Sequence, residues 1–174
     1  MKTILVTERL LLREFTLEDT QLLMDLNSNP NVIRYVGEAP VKNLEEAKDI
    51  LLNTILPQYP NKLGRWAVHL RSNNEFIGWC GLKFITELNE IDLGYRFFEN
   101  HWGKGYATES AKAVLDHGFN ILKLNKIIGR SAIENTDSVK VLEKIGMKFE
   151  KEDVGHCGKI FKYKLDKTDH QNLH

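Results

Sequence analysis

A glycine-containing turn is the first feature of this sequence that could carry chemistry. Residues 102–109 read Trp-Gly-Lys-Gly-Tyr-Ala-Thr-Glu and lie between an alternating stretch, typical of a strand, and a long stretch with helical spacing. Small residues at such a position let backbone N–H groups face an anion, and the helix N-terminus adds about half a positive charge. The pattern indicates a phosphate or pyrophosphate site, although a plain tight turn before a helix would have the same sequence.

Two common phosphate-binding motifs do not fit this turn. A P-loop requires Gly-x-x-x-x-Gly-Lys-Ser/Thr, but Phe98 stands five residues before Gly103, and Gly105 follows Lys104. A dinucleotide-binding fingerprint starts directly after its strand and ends on a third Gly or Ala, whereas Thr108 occupies that position here. A dinucleotide-dependent oxidoreductase is therefore disfavoured.

The second feature is an acidic strand face. Residues 90–97 alternate between polar and apolar types, which predicts a half-buried strand. Glu90 and Asp92 lie on its polar face, where the two carboxylates could raise each other's pKa and take part in proton transfer. Both could equally be solvated strand residues.

The rest of the chain supplies the elements that would position these groups. Thr16 and Asn135 are predicted helix caps, and Pro57 and Pro60 are predicted to end a helix that begins near Asn43. The predicted order is β-α-α-β-β-β-α-β-α-β-β, which favours a mixed, largely antiparallel sheet. The irregular segments 29–41 and 57–63 are candidate substrate-side loops, and 166–174 is predicted to be a frayed polar tail.

Composition restricts the function class. The 174 residues include 24 Lys plus Arg and 24 Asp plus Glu, so the net charge is zero and duplex nucleic-acid binding and attraction to a membrane surface are both disfavoured. The longest apolar run, residues 76–82, is far below the roughly 20 residues of a spanning helix. Cys80 and Cys157 fit no metal-binding spacing and are expected to be buried free thiols. We expect a cytoplasmic protein of one domain, residues 1–174, without a metal.

Four segments, taken together, resemble the general N-acetyltransferase (GNAT) superfamily, and most of all its branch of ribosomal-protein N-terminal acetyltransferases. They are residues 7–13 (Thr-Glu-Arg-Leu-Leu-Leu-Arg), 91–95 (Ile-Asp-Leu-Gly-Tyr), the glycine turn 102–109, and Asn135 to Ser138 with Leu142 to Met147. The resemblance implies an α+β (α/β) fold with about seven strands, helices on both faces of the sheet, and fourth and fifth strands that splay apart. Acetyl-CoA would lie in that opening and give its acetyl group directly to a primary amine, in a monomer or homodimer.

The same resemblance assigns site residues. The implied coenzyme contacts are Arg96, Phe97, Phe98, His101, Trp102, Gly103, Lys104, Gly105, Tyr106, Ala107, Thr108, Asn135 and Ser138. Backbone N–H groups around Arg96–Phe98 would stabilise the oxyanion, and Trp102 would wall the coenzyme channel. Attack requires an unprotonated amine, so a base is useful. Asp92 is the first candidate, acting through water, while His69 and His101 are weaker ones.

The sequence departs from the family pattern at three places. Asn100 replaces an Arg or Gln before the glycine turn, and Asp92 stands where the branch usually has Glu. Many relatives protonate the leaving thiolate with a Tyr on the helix after the fifth strand, but residues 136–146 contain no Tyr. Ser138 matches the position of a serine in the branch that the sequence resembles, and it is the donor that the resemblance implies. The acceptor stays open between a protein N-terminus and a small-molecule amine, and the alternative function is a non-catalytic acyl-CoA-binding module.

Overall fold

The computed structural model describes residues 2–156 and 158–173, and its strands form one eight-stranded sheet in the order β1-β2-β3-β4-β5-β6-β8-β7. The strands are β1 Thr3–Val6, β2 Leu10–Arg13, β3 Gly64–Leu70, β4 Phe76–Ile85, β5 Glu90–Phe97, β6 Lys126–Ala132, β7 Lys148–Gly155 and β8 Gly158–Asp166. The α-helices are α1 Thr20–Asn27, α2 Leu44–Ile50, α3 Tyr106–Asp116, α4 Thr136–Lys144 and α5 Lys167–Gln171. The predicted mixed, largely antiparallel sheet is confirmed. It has one strand more than expected, because Thr3–Val6 folds back on β2 as an antiparallel edge.

The strands predicted to splay are β5 and β6. Within the described residues they pair in parallel only at Asp92 with Ile128 and Leu93 with Gly129. β5 continues to Phe97 and β6 continues to Ala132, but in the described chain these two strands form no further pairs with each other. A gap therefore opens in the middle of the sheet immediately after Leu93.

Helices cover both faces of the sheet, as predicted. On one face, α3 and α4 contribute Ala111, Val114 and Leu142 to a core that contains Trp66 and Cys80. On the other face, α1 and α2 pack their apolar side chains against the neighbouring strand positions Ala67 and Trp79. Because successive strand residues alternate between the faces, each side chain of β5 belongs to one side of the gap or the other.

The end of the second predicted helix differs from the prediction. The helix that begins after the Asn43 cap does not end at Pro57, but continues through a π-helical turn and a 3-10 helix to Asn61. Proline is tolerated there because it occupies a first-turn position of the new helix, where its missing N–H has no intrahelical acceptor.

The C-terminal tail was wrongly predicted to fray. β8 runs to Asp166, and α5 follows, with a buried His170 whose ring stacks on Phe119 at 4.7 Å between centroids. His170 Nε2 also lies 2.9 Å from a carboxylate oxygen of Asp116, and Asp169 forms an ion pair with Lys148 at 2.7 Å. Isolated contacts of this kind produce no periodicity in the sequence. No helix of the described residues is long and apolar enough to cross a membrane.

Candidate active site

The glycine turn has the backbone conformation that an anion site needs. Gly103 and Gly105 have φ values of +71° and +82°, in the left-handed region that glycine adopts without strain. Gly105 is the N-cap of α3, and in the described chain the backbone N–H groups of Lys104, Gly105 and Tyr106 have no acceptor. A Cβ at Gly103 would meet no atom within 4 Å. The turn therefore presents free donors beside open space.

Glu109, in the first turn of α3, fixes this turn to the N-terminal hairpin. Its carboxylate accepts hydrogen bonds from the Thr7 hydroxyl at 2.6 Å, the Arg9 backbone N–H at 2.9 Å and Arg9 Nε at 2.6 Å. Arg9 also donates to the Lys104 carbonyl at 3.0 Å. Burial alone would raise the pKa of Glu109, but these hydrogen bonds lower it below its ordinary value. The Glu109 carboxylate thus holds the glycine turn against residues 7–9, which belong to another segment that resembles the GNAT family.

Trp102 and His101, on the N-terminal side of the turn, have different surroundings. The Trp102 ring is half exposed, and its Nε1 donates to the Phe97 carbonyl at 2.8 Å. His101 is buried, and its Nε2 lies 3.1 Å from a carboxylate oxygen of Glu75. The side chain of His101 therefore packs behind the turn, whereas the Trp102 ring faces solvent beside it.

A cavity of about 550 Å³ lies at the gap between β5 and β6. Its wall includes side chains from the α3/α4 face, among them Tyr95, Asn135 and Ser138. It also includes Asp92 and Arg96, which belong to the opposite face. One cavity therefore connects the two faces of the sheet at the point where the strands separate.

Ser138 and Tyr95 form a hydrogen-bonded pair in this cavity. The Tyr95 hydroxyl lies 2.9 Å from Ser138 Oγ and donates to the Ser138 carbonyl at 3.1 Å. Burial raises the pKa of Tyr95, so the phenol keeps its proton at neutral pH. Asn135 caps α4 by accepting the Ser138 N–H at 3.2 Å, as predicted. Tyr95 was missed because its place in an alternating strand resembles that of a core residue.

Asp92 lies on the other side of the gap. One carboxylate oxygen accepts a hydrogen bond from Arg130 Nε at 3.1 Å, and the Asp92 side chain is 14% exposed. Burial raises the pKa of Asp92 above its ordinary value although Arg130 opposes that shift. The prediction that Glu90 contributes to this shift was wrong, because Glu90 forms ion pairs with Lys126 and Lys162 at 2.6 Å each. Burial would raise the pKa of Glu90, but these ion pairs lower it.

The backbone of β5 restricts which N–H groups could stabilise an oxyanion. Phe98, one of the predicted donors, is excluded because its N–H donates to the Ile77 carbonyl at 3.1 Å. Antiparallel pairing alternates, so Arg96 also turns its N–H toward β4, whereas Tyr95 and Phe97 turn theirs away from β4. The N–H groups of Tyr95 and Phe97 therefore face the gap. Of the predicted oxyanion donors, 96–98, only Phe97 keeps a suitable direction, and Tyr95 is a further candidate donor.

Four cations surround the cavity on the face of Asp92. Arg130 is paired with Asp92, and Arg96 donates to Asn27 Oδ1 at 2.6 Å and lies 3.4 Å from a carboxylate oxygen of Glu38. Arg65 and Lys83 have no hydrogen-bond or ion-pair partner in the described part of the chain. The Arg65 guanidinium lies 4.4 Å from the centroid of the Trp79 ring. Arg65, Lys83 and Arg130 gave no signal in the sequence, since each belongs to an ordinary strand, whereas Arg96 was expected to contact the coenzyme and instead lies on the face of Asp92.

Burial lowers the pKa of Arg65 to about 10, and the nearby Arg96 lowers it further in the same direction. Burial, together with Arg65, also lowers the pKa of Lys83. Both positive charges are therefore less stable here than in water. A negatively charged group that enters the cavity would stabilise the protonated forms of Arg65 and Lys83.

The remaining candidates lie outside the cavity. His69 is buried, and its Nδ1 is 3.0 Å from the Asn74 carbonyl; burial lowers its pKa. Cys80 is a buried free thiol whose pKa burial raises to about 12. Cys157 lies outside the described residues. Within residues 2–156 and 158–173, no group of three or more His, Cys, Asp or Glu side chains could hold a metal.

Comparison with known proteins identifies the fold and its chemistry. Residues 9–148 match the family model described as "Acetyltransferase (GNAT) domain". The chain is 35% identical to the uncharacterised N-acetyltransferase p20 of Bacillus licheniformis, over 85% of this chain and 83% of that protein. It is 29% identical to a spermidine N(1)-acetyltransferase of Vibrio cholerae, over 81% of this chain and 80% of that protein.

A solved structure agrees with these sequence matches. The crystal structure of a GNAT-family acetyltransferase from Bacillus anthracis superimposes with a TM-score of 0.78 at 28% identity. The superposition covers 95% of this chain and 99% of that chain. The match therefore includes nearly the whole length of both chains.

Proposed function

Because the chain belongs to the GNAT acetyltransferase family and is an acetyl-CoA-dependent N-acetyltransferase, we propose that it acetylates a small-molecule primary amine in the cavity between β5 and β6. One observation carries this proposal: the cavity joins the face of Ser138 to the face of Asp92. A donor and an acceptor that approach from opposite faces would meet there. Acetyl-CoA supplies an activated acetyl group as a thioester.

The glycine turn fits the pyrophosphate of the coenzyme. Three backbone N–H groups are free there, two glycines hold the left-handed conformation, and the N-terminus of α3 favours negative charge. Asn135 and Ser138 line the cavity at the start of α4 and would contact the thioester end. We infer that residues 103–108 bind the phosphates and that Trp102 borders them.

Asp92 is the proposed base for the acceptor amine. Burial raises its pKa above that of an ordinary aspartate, so it accepts a proton more readily. Its place beside the gap suits transfer through a water molecule. Arg130 orients the carboxylate by its hydrogen bond.

The other groups of the cavity deal with the charges that develop during transfer. When the amine nitrogen bonds to the acetyl carbon and the carbon–sulfur bond breaks, the carbonyl oxygen and then the sulfur become negative. The N–H groups of Tyr95 and Phe97 face the gap and are the proposed oxyanion donors. The hydrogen-bonded hydroxyls of Tyr95 and Ser138 are the proposed proton source for the thiolate.

The choice of a small molecule over a protein N-terminus rests on the relatives and on the cavity. One relative is named for spermidine, which is a small amine. Tyr35, Glu38 and Gln58, from the two predicted substrate-side segments, enclose the acceptor side of the cavity.

We place the reaction in the cytoplasm, where acetyl-CoA is available and the Cys80 thiol stays reduced.

Coenzyme release, followed with a thiol reagent, tests this proposal. The protein is offered acetyl-CoA with spermidine, free amino acids, an aminoglycoside and N-terminal peptides of ribosomal proteins. We expect release with a small amine and none above background with the peptides. Preferential turnover of the peptides would contradict the small-molecule assignment. Thermal stabilisation by acetyl-CoA without turnover of any amine would instead favour a non-catalytic binding module.

A further inference from the structure

The acceptor side of the cavity is built around a glycine pair. Gly81 on β4 and Gly94 on β5 are directly opposed, and Arg65 on β3 is paired with Gly81, so the three form one row across the sheet. A Cβ at Gly81 would collide with the Gly64 carbonyl, and one at Gly94 would lie 3.2 Å from the Trp79 ring. The row is therefore a floor without side chains between Arg65 and Gly94, covered by the Gly64 backbone at Gly81 and by the Trp79 ring at Gly94.

The Trp79 ring brings the Arg65 charge close to the reacting end of this floor. The ring reaches Gly94, and the Arg65 guanidinium lies 4.4 Å from its centroid. Arg96 lies 5.5 Å from the same centroid, but Asn27 and Glu38 already occupy its donors. The Arg65 guanidinium thus packs against the Trp79 ring, the ring also lies against Gly94 where the strands part, and the Arg65 donors have no hydrogen-bond partner in the described chain.

We propose that the acceptor is a primary amine that carries an anionic group, in the first place a carboxylate, and that Arg65 and Lys83 bind this group while the amine reaches the gap at Gly94. This inference rests on the proposed function and specifies its substrate class. A planar guanidinium with free donors matches a carboxylate in geometry and charge. Arg65 and Gly94 lie in one row with Gly81 between them, so the spacing of two neighbouring strand pairs separates the Arg65 backbone from the gap.

The charge distribution argues against a polyamine. Arg65, Lys83, Arg96 and Arg130 face the cavity, whereas its carboxylates are Asp92, Glu38 and Glu87. Asp92 is paired with Arg130, and Glu38 lies beside Arg96, which leaves Glu87 as the cavity carboxylate without an ion pair in the described chain. A polycation would bring its distal charges near Arg65 and Lys83, which form no ion pair within the described residues.

Matched acceptors test this inference. Coenzyme release is measured with leucine, methionine and phenylalanine, with the α-amide of each, with aminomethylphosphonate and with spermidine. We expect kcat/KM for at least one amino acid to exceed that of its amide about tenfold or more, because the amide keeps the amine and loses the charge. A preference for aminomethylphosphonate over every amino acid would identify phosphonate or phosphate as the anion.

The Arg65→Met variant ties the preference to one side chain. It should raise KM for the preferred anionic acceptor about tenfold and leave kcat/KM for the matching amide within about twofold. The KM for acetyl-CoA should not change. Lys83→Met should act in the same direction, and Lys112→Met, which removes an exposed charge from α3, is the matched control.

Three outcomes would overturn the inference. They are equal turnover of an amino acid and its amide, preferred turnover of spermidine, and an equal loss for both acceptors in Arg65→Met. Failure of every anionic amine, while spermidine or another neutral or cationic amine is acetylated, would also overturn it but leave the proposed function standing. Failure of all amines together with no stabilisation by acetyl-CoA would overturn the proposed function itself.

Discussion

The Tyr95→Phe substitution tests the proton source for the leaving thiolate. It removes only the hydroxyl, which lies 2.9 Å from Ser138 Oγ and 3.1 Å from the Ser138 carbonyl. Loss of these hydrogen bonds should lower the free energy of unfolding by about 0.5–1.5 kcal/mol. A positioned proton donor contributes about 10²–10⁴-fold to a rate, so kcat should fall at least a hundredfold. The effect on turnover is therefore much larger than the effect on stability.

Ser138→Ala separates the two hydroxyls. If Tyr95 donates the proton and Ser138 orients it, the serine variant should lose less activity than Tyr95→Phe. The double variant should then be no slower than Tyr95→Phe alone, because the two groups act as one unit. Burial raises the pKa of Tyr95, so wild-type activity should show no loss from ionisation of this tyrosine between about pH 6 and 9.

The measurements are coenzyme release at saturating acceptor, acetyl-CoA affinity by calorimetry, and the melting temperature of each variant. Affinity should change by less than about threefold, because neither hydroxyl is assigned to phosphate binding. Turnover of Tyr95→Phe within twofold of the wild type would refute the tyrosine's role. A larger loss in Ser138→Ala than in Tyr95→Phe, with additive effects, would make the serine the donor, as the sequence alone predicted.

The remaining predictions concern the base, the coenzyme turn and its anchor. In Asp92→Asn, kcat/KM should fall tenfold or more at neutral pH, and the acidic limb that the raised pKa of Asp92 gives the wild type should disappear; an unchanged pH profile would exclude Asp92 as the base. Gly105→Glu should abolish acetyl-CoA binding in calorimetry, because it adds a side chain and a negative charge at a left-handed position beside the free N–H groups; near-normal affinity would refute the phosphate assignment. Glu109→Gln should lower the free energy of unfolding, measured with denaturant at neutral pH, by about 1–3 kcal/mol. The pKa of Glu109 is lowered in the folded protein, so its contribution is present above the unfolded pKa of about 4.3 and is lost as pH falls through the folded value. A difference from the wild type that persists at low pH would contradict that origin.

The elements that the sequence predicted well are those with a local cause. Asn43 and Asn135 cap helices as expected, since capping depends only on the next few residues. The glycine turn was recognised because left-handed backbone at two positions requires a particular residue type. The α5 helix was missed because its contacts with Phe119, Asp116 and Lys148 join residues far apart in the sequence, which no local pattern includes.

The candidate site was predicted in part for the same reason. Asp92 and Ser138 were found through motifs, and the structure brings both to one cavity. Tyr95 was not found, because strand alternation assigns it to an apolar face and says nothing about which helix residue that face meets. Its contact with Ser138 joins residues 43 positions apart in the sequence.

A balanced total charge conceals the most informative feature of the acceptor side. Equal numbers of acidic and basic residues exclude a large excess of one sign, but they do not exclude local separation. Arg65 on β3 is paired with Gly81, two residues before Lys83 on β4, so the side chains of Arg65 and Lys83 lie on the same face of the sheet. On that face, Glu90 forms ion pairs with Lys126 and Lys162, and Asp92 forms one with Arg130. The acidic stretch 87–92 suggests a cationic acceptor when it is considered in the sequence alone. Asp92 and Glu38 each lie beside an arginine, and Glu87 is the cavity carboxylate without an ion pair in the described chain. Arg65 and Lys83 form no ion pair there either, and an acceptor that complements these two cations brings a negative charge of its own.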